Sequence, residues 1–156
     1  MKTIISLSSH NELYVIDCSN VMYMQADDHY TQVFYLSGAH FMVPFGLSVV
    51  ADTIQKSIPT ECFLKRVGRK YIINLRKVFH INTVKQYVML TDNHGNNHSL
   101  HLPKQILKDL IELIDGFSEY HGQEVEQMPW IVKRLDGSRK KLYVSRRADN
   151  QSTFLL

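Results

Sequence analysis

Phe63-Leu64-Lys65-Arg66-Val67-Gly68-Arg69-Lys70-Tyr71-Ile72-Ile73-Asn74-Leu75 decides the reading of this chain. Four cations and a glycine lead into an aromatic and an apolar run that closes on Asn-Leu. Apolar residues anchor both ends, so the segment is expected to be held in a fold. The cations fall at an expected bend, where they reach outward. That is how a chain presents charge to an anionic surface such as a nucleic-acid backbone.

The rest of the composition makes this segment distinctive. The net charge over 156 residues is only +3, so the basicity is local. Residues 63–77 hold Lys65, Arg66, Arg69, Lys70, Arg76 and Lys77 against no acid, six of the eleven Lys and Arg in residues 1–116. A charge run is ordinarily a solvated face, but this one interrupts a folded pattern. The chain is 44% hydrophobic, enough for a core, which argues against wholesale disorder. The length suits one domain with an appendage. Two cysteines, Cys18 and Cys62, are too few for a disulfide framework and read as buried thiols in a reducing compartment. No signal peptide and no apolar stretch of membrane-spanning length is present, so no membrane association is expected and the expected location is the cytoplasm.

Outward from the central stretch, the pattern is mainly β. Tyr14–Ile16, Val21–Met24, Thr31–Leu36 and His40–Val43 are rich in β-branched and aromatic residues, with a turn at Ser37-Gly38-Ala39. Leu47, Val50, Ala51 and Ile54 recur at helical spacing, and Ile58-Pro59 closes that helix. Strand character resumes from Phe63 through Ile73, then at Val78–Ile81, Gln86–Leu90 and His98–Leu102. A second helix is expected from Pro103, with its stripe at Ile106, Leu107, Leu110, Ile111, Leu113 and Ile114, and a stop at Gly116. The expected architecture is mainly β with two short helices, in small antiparallel sheets. Residues 1–116 form the expected domain and 117–129 a linker. Residues 130–156 form a basic C-terminal hairpin and tail, with Trp130–Val132 and Leu142–Val144 flanking Asp136-Gly137-Ser138. Residues 130–147 carry net +6. An isolated hairpin is marginal in water, so it is expected to clamp DNA, pair with a second copy or cover an edge of the body.

Other constellations carry less. His94, His98 and His101 with His80 suggest a metal site, but on a strand His98 and His101 face opposite sides, and surface or structural roles are the expectation. Cys18 beside His29 reads as core rather than a thiol pair. No serine sits in a Gly-rich elbow, and neither a P-loop nor a dinucleotide fingerprint is present. No catalysis, no cofactor and no metal are expected.

Residues 12–115 resemble the LytTR family of DNA-binding domains, the output modules of LytR/AgrA/AlgR-type bacterial response regulators. The family's early strand pattern is matched by Val21-Met22-Tyr23-Met24-Gln25-Ala26, and its short helix by Leu47, Val50 and Ile54. Its core signature, F-x-R-(V/C)-H-(R/N)-S-(Y/F)-(I/V)-(I/V)-N-(L/R), is matched by Phe63–Leu75 with one extra residue between Phe63 and Arg66. Leu102-Pro103-Lys104 occupies the place of its final strand-to-helix turn. Two positions depart: Gly68 stands where the family commonly has His, and Pro103 where it commonly has Ser. Each loses a hydrogen-bonding side chain.

The resemblance implies a stand-alone transcriptional regulator that inserts loops into successive major grooves of duplex DNA and bends it. It implies base or phosphate contacts at His29 or Tyr30, at Arg69 and at Lys104, with Arg66, Lys70 and Lys77 neutralising backbone phosphates. Two copies on a direct repeat are expected, forming a homodimer on DNA. The chain begins almost at once with strands, so no phosphoacceptor domain is expected. The alternative reading is a protein-interaction module docking an acidic partner through its basic face. A third, single-stranded RNA binding, asks for exposed aromatics beside the cations, and only Tyr30 and Tyr71 qualify.

Overall fold

A computed structural model describes residues 3–58 and 63–120, together with the strand pair Ile131–Val132 and Leu142–Tyr143. The expectations for Cys62 and for most of the linker and tail lie outside those residues. Two compact units divide the chain: residues 1–77 with 92–96, and residues 78–91 with 97 onward.

The first unit opens on a hairpin, β1 (Ile4–Ser9) with β2 (Glu12–Asp17), turned by His10 at φ 42° and Asn11. Alternation builds it: Ile5, Leu7 and Ile16 are buried, while Ile4, Ser6, Ser8 and Val15 face outward. A short 3-10 turn, Cys18–Asn20, leads into β3 (Val21–Asp27). β4 (Tyr30–Tyr35), β5 (His40–Val43), β6 (Leu64–Val67) and β7 (Tyr71–Asn74) complete a five-stranded sheet in the order β5-β4-β3-β7-β6. Every neighbouring pair in it is antiparallel. Helix α1 (Leu47–Ser57) follows the expected spacing, burying Leu47, Val50 and Ile54. These side chains join Ile5, Leu7, Ile16, Val21, Met24, Val33, Val43, Leu64 and Ile72 in one core, with Cys18 buried among them as expected.

The other face of the sheet carries a row of rings across four strands. Tyr71 meets Tyr23 edge-on, Tyr23 stacks on Phe34 at 4.4 Å, and Phe34 stacks on His40 at 4.6 Å. Stacked and edge-on pairs of this kind add to sheet pairing beyond their buried area. Burial pushes the Tyr23 and Tyr71 phenols above their ordinary pKa, so both stay neutral at physiological pH.

The second unit holds a three-stranded antiparallel sheet, β8 (Val78–Asn82), β9 (Tyr87–Thr91) and β10 (Asn97–His101), in the order β10-β9-β8. Helix α2 (Lys104–Tyr120) follows and buries Leu107, Leu110, Ile114 and Phe117. Pro103 stands just before the helix, its carbonyl accepting from the Leu107 N–H at 3.0 Å. Gly116 does not stop α2. The stripe continues one turn on to buried Phe117, and burial of that ring outweighs the glycine's cost of roughly 1 kcal/mol. β11 (Ile131–Val132) pairs antiparallel with β12 (Leu142–Tyr143).

Candidate nucleic-acid interface

The sheet topology brings two turns to one end of the first unit. β3 passes into β4 through Asp28 and His29, with Asp28 at φ 59°. β6 passes into β7 through Gly68, Arg69 and Lys70, with Gly68 at φ 67°. Because β3 and β7 are neighbours, with Gln25 opposite Tyr71, the two turns lie side by side. A backbone bond joins them: the Ala26 N–H donates to the Lys70 carbonyl at 2.8 Å.

The start of α1 comes to the same end. Thr31, fully buried behind Tyr30, donates its hydroxyl to the Phe45 carbonyl at 2.8 Å, just ahead of the helix. Arg66 reaches the helix from the other side. Its Nη1 donates to Ser48 Oγ at 2.8 Å and its Nη2 to the Arg69 carbonyl at 3.2 Å. Gly46, at the N-cap of α1, supplies no side-chain cap to the helix.

The residues singled out by sequence divide accordingly. His29, Tyr30, Arg69 and Lys70 share this end, all exposed. His29 is 92% exposed and stands 3.7 Å from the Asp28 carboxylate, itself 81% exposed. Asp27 accepts from Gln32 Nε2 at 2.9 Å. The β3–β4 turn thus carries two carboxylates, which repel phosphate. Arg66 lies beside the turn rather than at its tip, already holding two partners. Lys77 is not with them. β7 runs away from the turn for about 10 Å, and Lys77 ends the 3-10 turn Leu75–Lys77 beyond it. Arg76, next to it, lies over the Phe63 ring at 5.4 Å. The six cations of residues 63–77 therefore serve both ends of a hairpin, not one patch.

Lys104 belongs to the second unit and is the first residue of α2, exposed. No acid occupies the first turn of that helix, so a cation stands at its positive end. Ser48, Thr31 and Ala26 were not legible as parts of this region. The only sequence signal for Ser48 is its place at the second position of an amphipathic helix.

Among the described residues, no three His, Cys, Asp or Glu side chains converge as a metal site. His94 instead lies with Nε2 3.1 Å from the Ser37 carbonyl. No described helix is long and apolar enough to cross a membrane.

Comparison with known proteins bears on the same region. No curated protein matches the chain. A solved LytTr DNA-binding domain from Bacillus cereus is similar at 17% identity with a TM-score of 0.49, covering 73% of this chain and 98% of that one. The family model for the LytTr DNA-binding domain matches residues 11–115, well over half of the 156. That span takes in β2 through β10, both turns of the candidate interface and most of α2, and the chain belongs to the LytTr DNA-binding domain family.

Proposed function

We propose that this chain is a sequence-specific transcriptional regulator of duplex DNA that reads the major groove with loops and catalyses nothing. The observation that carries the reading is the bonded pair of turns, with Arg69 and Lys70 on one and His29 and Tyr30 beside them on the other. Arg69 is the residue for guanine, because its planar fork matches the O6 and N7 acceptors. His29 and Tyr30 offer single donors to base edges. Lys70 neutralises phosphate, and Lys104, backed by the N–H groups opening α2, meets a phosphate elsewhere on the duplex. Lys77 belongs to this reading only as a distant phosphate contact. Two copies occupy a direct repeat, each using the same loops.

The test is selection of binding sites from a random duplex pool by the purified protein near physiological salt. The expected result is an enriched motif repeated about two helical turns, 20–21 base pairs, apart. Absence of enrichment, with binding that fades as salt rises, would favour a basic face that docks an acidic protein partner.

A further inference from the structure

We propose that Arg66 is a positioning residue: it clamps the Gly68–Lys70 turn to the start of α1 through Ser48, and so fixes the direction in which Arg69 leaves the backbone. The inference rests on the DNA-reading role given above to Arg69. Arg66 lies on the face of β6 that it shares with Leu64, opposite Ile72, and this face looks toward α1. From there its guanidinium reaches two elements at once. One N–H meets Ser48 Oγ at 2.8 Å on the helix, and another meets the Arg69 carbonyl at 3.2 Å in the turn. A planar fork with several fixed N–H groups can bridge two acceptors in this way, and a lysine ammonium holds no such geometry.

The turn needs the brace. Gly68, at φ 67°, gives it a residue with no side chain to restrict it. Its last two carbonyls are nonetheless both held: that of Arg69 by Arg66, and that of Lys70 by the Ala26 N–H. A long side chain that reads a base loses rotamer and backbone freedom on binding, and a turn fixed beforehand lowers that cost. Ser48 is the neutral end of the clamp, so it separates bracing from charge. A phosphate contact by Arg66 would not depend on a helix hydroxyl.

The experiment uses the full chain as wild type, Ser48→Ala, Arg66→Lys, the double variant and Ser48→Thr. Binding is measured to the duplex selected by the wild type and to its scrambled counterpart, over a range of salt. The expected result is a fall in selectivity of roughly tenfold for Ser48→Ala and for Arg66→Lys, about the worth of one charge-assisted hydrogen bond. The slope of log affinity against log salt stays at the wild-type value, since no charge is lost. The double variant is no worse than either single variant, and Ser48→Thr, which keeps the hydroxyl, retains selectivity. Selectivity of Ser48→Ala within about threefold of wild type overturns the inference, since such a loss is below one hydrogen bond of this kind. So do losses that add in the double variant. If the wild type itself selects no duplex, the DNA reading fails separately. Amide hydrogen exchange of residues 68–70 then decides the clamp: faster exchange in both single variants sustains it, and unchanged exchange removes it.

Discussion

Asn74 Nδ2 donates to the Val21 carbonyl at 2.8 Å, across 53 residues of sequence and wholly inside the protein. Its Oδ1 accepts from the Arg76 N–H at 2.9 Å. One side chain thus ties the end of β7 to the start of β3 and sets the 3-10 turn that follows. The sheet that presents both turns depends on this β3–β7 pairing. Asn74→Ala leaves a buried carbonyl and an amide unpaired, so a loss of about 2–3 kcal/mol is expected in denaturant unfolding. The denaturant midpoint should fall with an unchanged slope.

Gly68 at φ 67° takes a conformation that a side chain resists. Gly68→Ala should cost roughly 1–2 kcal/mol of stability, and Gly68→Asn less, since Asn tolerates the left-handed region. Thermal unfolding of the two variants side by side checks the order. Equal losses would show that the turn shifts to accept either residue.

Arg69 and Lys104 should differ in kind. Arg69→Ala should lose about 1–3 kcal/mol on the selected duplex and relax the preference at one base position. Lys104→Ala should weaken all duplexes alike and reduce the salt slope by about 0.9. Binding of both variants to a panel of single-base-changed duplexes separates the two patterns.

Asp17 caps the Cys18–Asn20 turn. Its carboxylate accepts from Ser19 Oγ at 2.8 Å and from Asn20 Nδ2 at 2.7 Å. The Ser19 hydroxyl above all, with Asn20 and the Ser19 amide, holds its pKa below the ordinary carboxylate value against an opposing push from burial. A depressed folded-state pKa contributes stability that is complete above the unfolded value of about 3.9 and is lost as pH falls through the folded value. Asp17→Asn should therefore flatten the acid limb of the stability curve below about pH 4. Urea unfolding at a series of pH values reads it directly.

Much of this was legible because the patterns were strong. Tyr23 and Met24 alternate between two faces of β3, and Leu47, Val50 and Ile54 fall on one side of α1. The strand β1 carries a weaker signal, since serines dilute it and polar residues 8–12 follow. Yet Ile5 and Leu7 alternate with those serines, and only two residues turn the chain into β2. Arg66, Arg69 and Lys77 are close in sequence and read as members of one acid-free basic cluster. A hairpin sends neighbours in sequence to different ends, so Lys77 lies beyond the far end of β7 while Arg66 stays beside Arg69. The partner of Arg66, Ser48, lies 18 residues away on another element, and no periodicity announces such a bond.

The strand order has a consequence for the chain as it is made. β3 sits at the centre of its sheet, yet its second neighbour, β7, is translated long after β4 and β5 have closed the first side. The chain from Asp27 to Tyr71 takes roughly 2–9 seconds to emerge at about 5–20 residues per second. Through that interval Val21, Met22, Tyr23 and Met24, all buried in the finished protein, stand on an open sheet edge. Nascent chains stalled before Tyr71 has left the ribosome should therefore bind a ribosome-associated holdase more strongly than chains stalled after Leu75 has left it.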